Sequence, residues 1–199
     1  MVLSSTVLSS TVLSSSCVET PAGQLSLVVE DGGAVVAAGF CPVAHLEARL
    51  RASSRPLADL GAVTRAVTGY LAGDLGAVDE LQVSQRGTPR QQLVWATLRA
   101  LPAGETVSYG GLAARLGLPP GASRAVGTAC GANLVAPVVP CHRVVRGDGS
   151  LGGYYYGLPV KRWLLDHERA TAGTLPGASG WAETPRIGLP PSAQGENGS

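Results

Sequence analysis

Cys141 and His142 stand side by side between two apolar runs, Val138-Val139-Pro140 and Val144-Val145. A thiol attacks carbon only as the thiolate, and an imidazole, a cation or a helix terminus nearby lowers its pKa from about 8.5. Neighbours on an extended segment point apart, so a water-bridged relay between the two side chains is as reasonable as a direct bond. Free cysteine is also among the most buried of small apolar side chains. The pattern alone leaves both readings open. Glu168, taken alone, is a helix-end acid and Tyr109 a half-buried core tyrosine. Gly131-Ala132-Asn133 suits a helix C-cap or turn.

The elements that must hold these residues are legible in outline. Thr88-Pro89 starts a helix, with Thr as N-cap and Pro at the first position; Val94, Leu98 and Leu101 form its apolar stripe. Ser108 caps a short helix through Leu116, and Gly117-Leu118-Pro119-Pro120-Gly121 breaks it. A third helix runs from about Ala122 to Cys130, with Gly131 as its stop. Two short helices around a glycine-containing break resemble a helix-turn-helix with a long turn. A Val- and Pro-rich loop leads to Cys141, and a Gly- and Tyr-rich loop, Gly147 to Gly157, precedes a last helix from about Val160 to Glu168. Upstream, Leu25 to Val29, the turn Glu30-Asp31-Gly32-Gly33 and Ala34 to Phe40 read as an antiparallel meander. Leu57, Leu60, Val63, Val67 and Leu71 recur at helical spacing, predicting a helix from Leu57 to Leu71.

The chain opens with the repeat VLSST-VLSST-VLSSS through Ser16. A period of five fits neither helix nor strand, so it reads as a flexible extension whose last few residues join a first strand. The composition of residues 170–199 predicts a disordered tail. Four segments follow: an extension, 1–16; an α/β domain, 17–85; a mainly helical domain, 86–169; and the tail.

The formal net charge of +1 hides an asymmetry, because residues 86–169 carry ten basic side chains against four acids while residues 1–85 carry four against eight. A basic segment beside an acidic one points to an anionic partner such as nucleic acid. Wholesale disorder is excluded by 45% hydrophobic residues. No apolar run is long enough for a membrane helix, and no basic stretch precedes an apolar one as in a secretory signal. The four cysteines make no disulfide framework at this length. Cys41-x-x-x-His45 has a metal-like spacing, but no ligand set completes it, and no metal is expected.

The run Val139-Pro140-Cys141-His142-Arg143-Val144-Val145 resembles the active-site signature of the methylated-DNA–protein-cysteine methyltransferases, the O6-alkylguanine-DNA alkyltransferases. Asn133 lies where that family keeps a hinge asparagine, and Arg124-Ala125-Val126-Gly127 resembles its arginine-finger segment. Ser108-Tyr109-Gly110-Gly111-Leu112-Ala113, Gly152-Gly153-Tyr154 and Lys161-Arg162-Trp163-Leu164-Leu165-Asp166-His167-Glu168 match further segments. The likeness is dense from Gly87 to Glu168 and thinner before it. It implies an α+β fold: a small ribonuclease-H-like α/β domain with an antiparallel sheet, then a winged-helix-like DNA-binding domain.

The resemblance also implies a reaction. Cys141 takes the alkyl group from O6 of guanine irreversibly, so each protein molecule acts once and needs no cofactor. His142 serves as base through a water, oriented by Glu168. Tyr109 and the backbone N–H of Tyr155 meet charge developing on O6. Asn133 ties the cysteine's turn to the recognition helix. Arg124 fills the stack when the nucleotide is swung out from the minor groove. Tyr154 belongs to the base pocket, and Arg143 and Lys161 support the site or approach phosphate. The implied partner is double-stranded DNA containing O6-alkylguanine, bound by a cytoplasmic monomer without a membrane. Departures are Arg90, where the family often has Phe, and Tyr156, where glycine is frequent. Two other readings compete: a damage-binding module of the alkyltransferase-like type, which Cys141 argues against, and a cysteine hydrolase, which would turn over.

Overall fold

The computed structural model describes residues 12–172. The first two copies of the repeat and the chain beyond Ala172, with the expectations made for them, lie outside the described residues.

The third copy of the repeat opens a strand rather than an extension. β1 (Leu13–Thr20) pairs antiparallel with β2 (Gly23–Glu30), from Leu13 opposite Glu30 to Thr20 opposite Gly23. Thr20 closes the turn, accepting from the Ala22 N–H and donating to the Gly23 carbonyl through its hydroxyl. β3 (Val35–Gly39) pairs antiparallel with β2, with an irregularity at Val28/Val29, and the two-residue β4 (Arg55–Pro56) lies parallel to β1. The sheet order is β3-β2-β1-β4.

Leu25 through Val29 are all buried, so β2 is covered on both faces. One face meets α1 (Val43–Leu50) through Val28, Val36, Ala37 and Leu46. The other contributes Leu25, Leu27, Val29, Val35 and Ala38 to a larger cluster that also holds Val94, Leu98, Leu112, Val126 and Leu164. Apolar side chains from both sides of the 85/86 boundary thus share one core.

α2 (Ala62–Leu71) begins five residues later than its spacing suggests. Leu57 is bonded to β1 through its N–H and the Ser15 carbonyl, and the Asp59 carboxylate accepts from the Gly61 N–H. Leu57 and Leu60 therefore pack from non-helical chain. Short α1 is absent from the sequence reading because Leu46 is its only buried side chain.

α3 (Pro89–Arg99) starts at Thr88 as expected, with a full capping box: the Thr88 hydroxyl accepts from the Gln91 N–H and the Gln91 side chain from the Thr88 N–H. α4 (Tyr109–Arg115) is capped by Ser108. α5 (Ser123–Ala132) passes through Gly131 and stops at Asn133, whose φ of −60° and ψ of 125° leave the helix. α6 (Leu158–Ala172) is longer than expected at both ends. β5 (Val107–Ser108) and β6 (Val144–Val145) form a small parallel pair.

Two stretches close the outer edge of β3. Val35 and Ser84 exchange bonds with the linker (Val35 N–H to Gln82 O, Ser84 N–H to Val35 O). The Ala38 N–H donates to Leu134 O and the Ala38 carbonyl accepts from the Ala136 N–H. The segment that runs on to Cys141 is therefore docked on the sheet.

Candidate active site

Cys141 opens a single 3₁₀ turn, Cys141–Arg143, between the docked segment and β6. Its side chain is 8% exposed. Asn133, at the end of α5, binds both sides of the turn: Nδ2 donates to the Val139 carbonyl at 2.8 Å and to Cys141 Sγ at 3.2 Å, while Oδ1 accepts from the Val135 N–H at 3.0 Å. Burial pushes the Cys141 thiol above its ordinary pKa, against the weaker opposing effects of Asn133 and Lys161. The resting group is therefore a thiol, and attack requires a base.

His142 is fully buried, with Nε2 at 2.9 Å from Glu168 Oε1. Burial holds the imidazole below its ordinary pKa, so it rests neutral at pH 7. For Glu168, burial alone would favour the acid, but bonds and charge from His142 and Arg143 outweigh it and hold the carboxyl well below the usual range. An ionised carboxylate only accepts, so the Nε2 proton is fixed by inference and Nδ1 carries the lone pair. Nδ1 is buried without a hydrogen-bond partner among the described residues. The turn thus presents a thiol and, one residue on, an imidazole whose free nitrogen can accept a proton.

Tyr109, first in α4, is brought to the site by the β5–β6 pairing. Its ring lies between Gly127 of α5 and Gly152. A methyl group built on Gly152 would come within 3.1 Å of the ring, and φ there is +66°. Glycine is needed on both counts. Burial, then the nearby Cys130 and Cys141, raise the Tyr109 pKa, so the phenol stays a donor at neutral pH.

Comparison with known proteins settles the family. A Mycobacterium tuberculosis protein named methylated-DNA–protein-cysteine methyltransferase is 39% identical over 155 residues, covering 78% of this chain and 92% of the relative. The chain belongs to the methylated-DNA–protein-cysteine methyltransferase family. A Salmonella typhimurium protein of the same name is 50% identical over 108 residues, and the match spans 63% of its length and 54% of this chain. The family model described as the 6-O-methylguanine DNA methyltransferase DNA-binding domain matches residues 89–170. Among solved structures, M. tuberculosis OGT in complex with DNA superimposes with a TM-score of 0.67 at 34% identity, covering 79% of this chain and 93% of that one. The mixed α+β architecture agrees with this likeness.

Within this family member, the structure brings Cys141, His142, Asn133 and Glu168 into one hydrogen-bonded group and sets Tyr109 close by. Two residues assigned to DNA or base contact are instead internal. Arg143 is buried, with Nη2 at 2.8 Å from Glu168 Oε1, Nε at 3.0 Å from Oε2 and Nη1 on the Leu101 carbonyl. Lys161 is fully buried and donates to the carbonyls of Val144, Leu151 and Gly153. Neither ammonium nor guanidinium is free to meet a phosphate; each ties the cysteine's turn or the following loop to its supports.

Tyr154 is partly buried, and its hydroxyl has no partner among the described residues. Tyr155 is 50% exposed; its hydroxyl lies 2.7 Å from His45 Nε2, and the Arg49 guanidinium sits 4.2 Å over its ring. Tyr156 packs against Gly39, where any Cβ would collide with its hydroxyl. Arg124 is exposed on the first turn of α5. Thr128 and Gly131 are exposed with it at helical spacing, while Val126 and Ala129 face the core. Ala129 is unavailable for close approach, its carbonyl being bonded by Trp95 Nε1.

Sequence reasoning missed Tyr70 and Gly104. The Tyr70 hydroxyl donates to Glu168 Oε1 at 2.8 Å and the Gly104 N–H to Oε2 at 3.0 Å. These contacts cross 98 and 64 residues, and no local pattern announces them.

Proposed function

We propose that this protein repairs DNA by moving the alkyl group of O6-alkylguanine onto Cys141, once per molecule and without a cofactor. The observation that carries the reading is the coupling of a buried thiol to an imidazole whose Nε2 proton is held by Glu168. The thiol proton passes through a water to His142 Nδ1. The thiolate attacks the alkyl carbon; the S–C bond forms as the C–O6 bond breaks, and the electron pair leaves with guanine. Tyr109 and the Tyr155 N–H meet the charge on O6, a proton is delivered to the base, and the imidazolium returns its own to solvent. The thioether is stable, so no step regenerates the thiol.

The lesion inside a duplex is out of reach, so the nucleotide must swing out. Arg124 stands at the exposed start of α5 and takes the gap, with Gly127 and Thr128 allowing approach to the minor groove. Tyr154 walls the base pocket. In this proposal the chain works as a cytoplasmic monomer on double-stranded DNA. Residues 17–85 form a ribonuclease-H-like domain, and 86–169 a winged-helix-like domain carrying the DNA surface and the acceptor.

Full-length protein is incubated with a duplex containing label in O6-methylguanine and then mapped by peptide mass spectrometry. One methyl group per molecule on Cys141 is expected. Binding without transfer would point to a recognition module, and turnover of an ester or amide to a hydrolase. Cys141→Ser should lose transfer while keeping DNA affinity; transfer by this variant in a single-turnover assay refutes the assignment. Arg124→Ala should slow reaction with the duplex more than with the free base. Equal losses on both substrates remove its role in extrusion.

A further inference from the structure

Glu168 is held from both halves of the chain. His142, Arg143 and Gly104 reach it from the second half, and Tyr70 alone from the first. The Tyr70 side chain is 1% exposed. Its carbonyl accepts a bond from His167 Nε2 at 2.8 Å, and the two rings meet edge-on at 5.3 Å. Through one residue, α2 therefore grips two consecutive positions of α6. The Tyr70 hydroxyl and His142 Nε2 converge on the same oxygen, Oε1. Facing an ionised carboxylate, the phenol can only donate.

We propose that Tyr70 is a positioning residue of the alkyl acceptor site, which fixes Glu168 and, by sharing Oε1 with His142, sets how readily the imidazole accepts the thiol proton. This rests on the reading of His142 as base. Each donor to a carboxylate stabilises the anion and weakens its pull on the next. With Tyr70 in place, Glu168 orients the imidazole without drawing it strongly toward imidazolium. Removing the hydroxyl leaves more of the charge on Oε1 for His142. The other charged or titratable groups facing this pair remain: Arg143 from the turn, Lys161 from α6, and Asp79 from the loop after α2. Around the sulfur stand Cys130 of α5, Tyr109 of α4, Tyr154 and Lys161.

The test is Tyr70→Phe in the full chain. The His142 imidazole is titrated by NMR without DNA, and methyl transfer from an O6-methylguanine duplex is timed across pH. The His142 pKa should rise by roughly half a unit or more, and the acid limb of the rate profile should move up with it. DNA affinity should not change. A folded variant whose His142 titrates as in the parent overturns the proposal, because a purely structural tyrosine would lower stability and leave the titration alone. If Tyr70→Phe does not fold, fluorotyrosine at position 70 supplies a more acidic phenol in the same shape. The His142 pKa should then fall, and no shift overturns the proposal. Absence of methyl transfer in the parent protein would defeat the functional reading, while the titration still decides the role of Tyr70.

Discussion

The thiol, the imidazole and the carboxylate each depart from their ordinary acidity for a reason visible in their surroundings, and the departures carry a stability cost in acid. His142 has a folded pKa below its unfolded value of about 6.5, and Glu168 one below its unfolded value of about 4.3. In both cases the unfolded chain binds protons that the folded protein refuses. Stability is therefore fully present above the unfolded value of His142, falls as pH drops below it, and falls again below that of Glu168. Urea midpoints should decline between pH 7 and pH 5. In His142→Gln that decline should shrink, and an unchanged slope would show that other groups dominate.

At the scale of elements, the site depends on short pieces set at fixed angles. The β5–β6 pair places Tyr109 beside the chain that leaves Cys141, and the loop at Gly152 closes over the ring. Gly152→Ala adds a methyl group that meets the Tyr109 ring at a backbone angle alanine rarely adopts. Methyl transfer should slow by about tenfold or more, while DNA binding stays within a few-fold, because a positioned donor contributes roughly 10²–10³ to such rates. Single-turnover kinetics with separate binding measurements will check it. The cysteine's own segment was legible because its partners lie close in sequence or at helix ends: Asn133 eight residues before, and α6 with its clear period. The helix starts at Thr88 and Ser108 were legible because capping is local chemistry. α1 was not, since one buried leucine makes no stripe. The start of α2 was misread because Leu57 and Leu60 mimic helical spacing while packing from extended chain. The internal roles of Arg143 and Lys161 were hidden as well, since only tertiary structure shows whether a cation faces water.

At the scale of the whole molecule, the first sheet is part of the acceptor's support. Ala38 of β3 exchanges two backbone bonds with the stretch leading to Cys141, and Tyr70 reaches Glu168 from the same half. Ala38→Pro removes the N–H that Leu134 O accepts and has no room to be neutral at a fully buried position. The variant should transfer methyl groups more slowly, although Ala38 touches neither the thiol nor His142. Amide exchange at residues 134–139 should accelerate in parallel; unchanged exchange there would mean that the docking contributes little.

The arrangement of that sheet has a consequence for a protein that is consumed by its own reaction. Its β3 margin is occupied by the protein's own backbone at positions 35 and 38, and its opposite margin, β4, is two residues long, exposed, and made of Arg55 and Pro56. A cation and an imino acid at a short border offer a poor template for recruiting foreign strands. Spent copies that gather beside fresh ones thus share no ready ribbon along which to stack, and disposal of used molecules need not compete with their clumping.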